Sequence, residues 1–207
     1  MALDSYQTLK TSIIEWSKRS DILSLVDDFI DIAESTMYAN PDAQLRIRDM
    51  ETRATGNMST TDRYEPLPSR FIEMRQVKLN LAAGEYMMSY VSPDSMIIKD
   101  ASGIPPYYTI TNQVEFDRIP DDAYEIEFLY YESLAPLTAT APSNQILVRF
   151  PQIYLYGALY ACFDWAMQGD VAANYYSKMI SAIKGANTMD RRGRYHGASI
   201  RLNAVTP

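Results

Sequence analysis

The stretch "FPQIYLYGALYACFDWAM" limits the possible folds more than any other part of the chain. Between Arg149 and Asp164 it carries no charge. Its apolar residues leave no polar stripe at helical spacing, so as a helix it has to be covered on nearly every side. The uncharged run is shorter than the roughly 20 residues that cross a bilayer, so the cover has to be protein. The reading is a helix over about 146–168 at the centre of a helical body. A chain of 207 residues, 47% apolar, can supply such a body as one domain, or one domain with an elaboration.

The covering helices are legible at both ends. Tyr6, Leu9, Ile13 and Trp16 recur at three and four residues, with Asp4 as N-cap and Gln7 three positions on. A second helix is predicted from "SLVD", where Ser24 and Asp27 have capping-box spacing, with its stripe on Phe29, Ile30, Ala33 and Met37. A third is predicted in "NPDAQLRIRDMETRATG", capped by Asn40, with Pro41 at the first position and Gly56 as the stop. Towards the other end, Asp170 caps an amphipathic helix. It turns Ala172, Tyr176, Met179, Ile180 and Ile183 inward and Asn174, Ser177, Lys178, Ser181 and Lys184 outward, forming a hairpin with the central helix around Gly169-Asp170.

In between, the period changes from helical to alternating. In "DDAYEIEFLYYES", Tyr124, Ile126, Phe128 and Tyr130 fall on one strand face and Glu125 and Glu127 on the other. "PYYTITNQVEF" reads as two strands around a Thr-Asn turn, "FIEMRQVKLNL" as a further strand, and "SPDSM" as a short turn or helix. The expected class is therefore α+β. The expected organisation is a mainly helical body (1–56 and 134–189), one small antiparallel sheet inserted in the middle (57–133), and an extended C-terminal arm (190–207).

The residues give catalysis little to work with. His196 is the only histidine and Cys162 the only cysteine; each lacks a sequence neighbour that would activate it, and a lone cysteine forms no internal disulfide. The eight glycines form neither a dinucleotide fingerprint nor a phosphate-cradling loop. The acidic residues fall where solvated groups belong, in turns, at a helix start and on a wet strand face. The expectation is no enzyme, no cofactor and no metal site. The opening "MALDSYQTLKTSIIEW" has no basic-then-apolar leader pattern, so it reads as part of the fold, with no membrane association.

Two features point to partners. The formal net charge is -7, yet Arg191, Arg192, Arg194 and Arg201 are followed by no acidic group. An acidic chain that ends this way has an end suited to a specific partner. Sixteen tyrosines include the doublets Tyr107-Tyr108, Tyr130-Tyr131 and Tyr175-Tyr176. In a doublet one ring leaves the buried face, which makes Tyr107, Tyr131 and Tyr175 candidates for contact with other chains.

The order of these parts resembles the head-to-tail adaptor (connector) proteins of tailed bacteriophages, chiefly short-tailed ones. The resemblance is carried by "LVDDFIDIAESTM", "YEPLPSRFIEMRQVKL", "YVSPDSM", "PPYYTITNQVEF", "YEIEFLYY", "YLYGALYACF" and "DRRGRYHGAS". It implies a structural virion protein, assembled in the host cytoplasm, that forms a ring of about twelve copies between the portal protein and the tail nozzle or other tail proteins. DNA would pass through the lumen without specific recognition. It further implies that the C-terminal arm docks into the portal through Arg191, Arg192, Arg194, Tyr195, Ile200, Arg201 and Leu202. A second reading is a nucleic-acid-binding protein that uses the interleaved Arg and Tyr of "RRGRY" for phosphates and stacking. A third is an enzyme with a carboxylate-only site.

Overall fold

The computed structural model describes residues 3–195. They divide into two units, one built from the chain up to Arg48 and from Leu134 onward, the other from Asp49–Ser133. The class is α+β as expected: helices make the first unit and strands the second.

In the helical unit, α1 (Tyr6–Ser17) is capped by Ser5 and not by Asp4. The Ser5 hydroxyl accepts from the Thr8 N–H while the Thr8 side chain accepts from the Ser5 N–H, a reciprocal box that leaves Gln7 out. The second helix, α2 (Val26–Ala39), buries the predicted stripe of Phe29, Ile30, Ala33 and Met37. Leu25, which offers no side-chain bond, stands at its N-cap in place of Ser24.

The third N-terminal helix does not form. Asn40 ends α2, giving its backbone N–H to the Thr36 carbonyl, and its side-chain oxygen accepts from the Asp42 N–H across Pro41 in an Asx turn. Beyond it Leu45 and Ile47 are both fully buried, a period of two that suits extended chain. A single 3₁₀ turn, Arg48–Met50, then leads into strand β1 (Glu51–Asn57).

The central apolar segment is two helices, α3 (Gln145–Arg149) and α4 (Pro151–Trp165). Pro151 has no N–H to continue α3 and instead occupies the first position of α4. As predicted, α4 is buried on nearly all sides, including Ile153, Tyr154, Leu155, Leu159 and Cys162. Gly157 permits the closest approach of its neighbours: a Cβ there would lie 2.7 Å from the Ala33 Cβ and 3.1 Å from the Met179 Cε. Tyr154 donates to the Glu34 carboxylate (3.0 Å) and accepts from the Asn144 amide (2.6 Å), while the Leu137 N–H also donates to Glu34 (2.9 Å). That node ties α2, α4 and the returning loop together. Burial raises the Glu34 carboxyl above its ordinary range despite these hydrogen bonds.

The hairpin turns through Met167, in the left-handed region at φ 57°, into α5 (Gly169–Tyr195). The Ala172 N–H donates to the Gln168 carbonyl, so the cap position precedes Gly169 and Asp170 lies within the first turn. Of the residues predicted to face inward, Ala172, Met179, Ile180 and Ile183 are buried and Tyr176 is half-buried; Asn174, Ser177, Lys178, Ser181 and Lys184 are exposed, as the periodicity predicts.

The strand unit contains two four-stranded sheets where one was expected. The first has the order β1-β8-β3-β4, with β3 (Phe71–Leu81), β4 (Gly84–Met87) and β8 (Glu125–Glu132). The second has the order β2-β7-β6-β5, with β2 (Tyr64–Pro66), β5 (Ser89–Tyr90), β6 (Tyr107–Ile110) and β7 (Gln113–Phe116). All pairings are antiparallel except β5 with β6. The β6–β7 hairpin around Thr111-Asn112 forms as read, but β8 pairs with β1 and β3 and not with the hairpin. The two sheets share one core through Val77, Leu79, Val114, Phe116, Ile126 and Phe128. "SPDSM" is a 3₁₀ turn, Pro93–Ser95.

Candidate partner-binding surfaces

The arginine-rich end begins as a helix. Helix α5 continues through Tyr195, so residues 190–195 are not part of an extended arm. The reason is Asp190, only 3% exposed, whose two carboxylate oxygens accept from Arg48 Nε (2.8 Å) and Arg194 Nε (2.9 Å). Burial alone would raise this carboxyl. The hydrogen bonds from Arg48 and Arg194 outweigh it and hold the group below the usual carboxylate range. Gly193 makes room for the knot, since a Cβ there would come within 3.0 Å of the Arg48 guanidinium. Arginines in the last turn also oppose the partial negative charge of the helix end.

This arrangement sorts the predicted docking residues. Arg191 and Arg192 are exposed and point their charge to solvent. Arg194 is folded back on Asp190 and positions the turn. The backbone of Tyr195 closes α5; Ile200, Arg201 and Leu202, and with them His196, lie outside the described residues.

The three tyrosines separate as well. Tyr107 is 43% exposed. Tyr175 is half-buried, stacked on Phe163 with centroids 5.5 Å apart and planes 2° apart. Tyr131, expected to leave the buried face, is instead buried in the strand unit, and its hydroxyl accepts from Arg75, whose guanidinium also lies over its ring. Both members of the Tyr130-Tyr131 doublet are buried, Tyr130 within the shared core of the sheets and Tyr131 with the Arg75 guanidinium over its ring. A long side chain on the neighbouring strand can thus cover a ring that alternation alone would leave exposed.

The apolar stripe expected on α1 is buried at Leu9 and Ile13 but not at Trp16, which instead belongs to an exposed aromatic surface of the helical unit. Trp16 (50% exposed) lies 6.5 Å from Tyr156, and Tyr156 lies 6.2 Å from Tyr175. Trp165 is also half exposed, with the Arg19 guanidinium over its ring. The sequence did contain a signal, since Trp16 and Trp165 are its only tryptophans. Among the described residues no group of three or more His, Cys, Asp or Glu stands together as a metal site would require, and no helix is long and apolar enough to cross a membrane.

A family model described as SU10 adaptor protein matches residues 4–202. The chain belongs to that family, a phage head-tail adaptor family. No curated protein matches the chain. Membership gives the surfaces above a structural context, the joint between the head and the tail of a phage.

Proposed function

We propose that this chain is a structural virion protein that assembles as a ring, about twelve copies round, between the portal and the tail. In this reading the C-terminal segment docks into the portal, further tail proteins such as a nozzle attach to the opposite side, and DNA passes through the lumen without being read. Assembly takes place in the host cytoplasm, and the joint itself carries out no reaction.

One observation supports portal docking above all: Arg191 and Arg192 are exposed on a helix end that the Arg48–Asp190–Arg194 knot holds in place. A planar guanidinium on a fixed backbone recognises a carboxylate with two parallel hydrogen bonds and loses little side-chain entropy in doing so. The rest of the chain carries all of the negative charge, so this end is the part suited to an acidic groove.

The test is the double reversal Arg191→Glu/Arg192→Glu, mixed with purified portal and examined by electron microscopy and co-sedimentation. Wild-type protein should form a ring of high cyclic symmetry on the portal. The double variant should keep its circular dichroism spectrum and fail to dock. Normal docking by the variant would remove this end from the portal contact, and a two-fold dimer indifferent to portal would remove the ring.

A further inference from the structure

The two units differ sharply in charge. Residues 49–133 hold 15 Asp and Glu against 7 Lys and Arg, whereas the rest of the chain holds 11 against 12. Strand units of neighbouring copies therefore repel one another, while a strand unit next to a helical unit does not. Pairing unlike faces in this way is what a closed ring needs.

Each unit displays a surface suited to the other. On the helical unit, the Lys178 ammonium stands over the Tyr175 and Tyr156 rings, 4.9 and 5.9 Å from their centroids. Trp16 extends the same aromatic shelf. The ammonium is exposed and has no carboxylate partner among the described residues of the helical unit. On the strand unit, the segment between β5 and β6 exposes Ile97 (76%) and Ile98 (37%) between the carboxylates of Asp94 and Asp100. Those carboxylates have no partner among the described residues of their unit, although Lys99 lies beside them in the chain. The segment is held by the 3₁₀ turn and by the Lys99 N–H to Asp117 carbonyl (2.7 Å) and Gly103 N–H to Ile119 carbonyl (3.1 Å) hydrogen bonds. It presents its isoleucines from a fixed backbone.

We infer that the Lys178 shelf of one copy receives the Ile97 segment of the next, with Ile97 against the tyrosine rings and Asp94 or Asp100 on the Lys178 ammonium. The inference rests on the ring reading and names its subunit contact. An apolar centre with a charged pair at its edge gives both adhesion and register.

The test couples contacting amines and carboxylates with a carbodiimide in an equal mixture of ¹⁵N-labelled and unlabelled full-length protein assembled on portal. Mass spectrometry should find Lys178 joined to Asp94 or Asp100 across an isotope boundary in the assembled particle. Lys178→Glu alone, or Asp94→Lys/Asp100→Lys alone, should lower the yield of complete rings about tenfold, and combining all three should restore it. The contact is overturned if rings give other mixed-isotope links but none at Lys178, if Lys178 links to portal or tail protein, or if the combined variant assembles no better than its parents. Particles with portal bound but no cyclic repeat would instead sink the ring reading itself.

Discussion

Removing the Asp190 carboxylate tests whether the basic helix end is held or merely present. In Asp190→Ala, two charged hydrogen bonds are lost, each of a type that contributes about 1.5–3 kcal/mol when intact. Arg48 is half exposed and recovers most of its hydration once released, so its share falls well below that range. Arg194, at 17% exposure, recovers less. Replacing an acidic residue near a helix C-terminus by alanine returns about 0.5 kcal/mol or more through the helix dipole and intrinsic propensity. The net expectation is a loss of about 1–2 kcal/mol confined to the last turns of α5, or roughly 5- to 30-fold in local opening.

Amide hydrogen exchange followed by mass spectrometry reads this directly. Protection over residues 186–195 should fall by that factor, while α4 and the strands keep theirs. The pH dependence has a definite sign. The folded-state carboxyl is depressed, so the stabilisation is complete above the unfolded value of about 3.9 and disappears as pH falls through the lower folded-state value. Wild type and variant should therefore differ at pH 7 and converge in strong acid. Equal protection at pH 7 would show that the knot does not hold the helix end, and the case for a presented Arg191 and Arg192 would fall with it.

Gly157→Ala should destabilise the helical unit by about 1–2 kcal/mol in urea unfolding, because the overlap with the Ala33 Cβ exceeds the helix propensity gained; adding Ala33→Gly should recover part of the loss, which independent sites would not show. Cys162, fully buried with its thiol pushed up by burial, should resist a thiol-specific disulfide reagent until the protein unfolds, and early reaction would place it at the surface. Glu34→Gln keeps both hydrogen-bond donors satisfied and removes a carboxyl that folding raises. Ionised Glu34 costs the wild type stability as pH climbs from about 4.3 through the higher folded-state value, so the variant should resist urea at least as well at pH 7 and lose any advantage near pH 4.

Where one segment decides its own structure, the sequence was readable. The uncharged run of α4 could only be buried, the Ala172–Ile183 stripe could only be one face of a helix, and Thr111-Asn112 between two β-favouring runs could only be a hairpin turn. The errors came where a distant residue decides. "NPDAQLRIRDMETRATG" has good helix punctuation, yet Asn40 closes α2 and Glu51–Asn57 takes the free edge of β8, a partner about 75 residues away in the chain. The α5 terminus reads as an arm until Arg48 is brought to Asp190 from 142 positions away. Only the i,i+4 spacing of Asp190 and Arg194 hinted at it.

The same distinction bears on how the interaction surfaces are built. Composition alone reveals an acidic chain with a basic end, but it cannot show that the acid is concentrated in one unit, because that unit's boundary at Asp49 is set by strand pairing. Once the boundary is drawn, the charge is no longer spread evenly. It becomes an instruction about neighbours, repelling like units and leaving unlike ones free to meet. A long-range field cannot fix register at Debye lengths near 8 Å, so local pairs have to do that. In the proposed contact Lys178 on its tyrosines and Asp94 and Asp100 beside Ile97 would supply such a pair, on backbones that helix α5 and the 3₁₀ turn hold in place. At the other end of α5, Arg191 and Arg192 are presented by a knot of the chain's own charges. In this account a single helix carries both contacts, Lys178 towards the next copy and Arg191 and Arg192 towards the portal. The 13 residues from Lys178 to Arg191 at 1.5 Å per residue separate them by about 20 Å, so each can be mutated without touching the other. Lys178→Glu should then lower ring yield while single copies still bind portal, and Arg191→Glu/Arg192→Glu should do the reverse. If either change abolished both properties, the two contacts would have to be one.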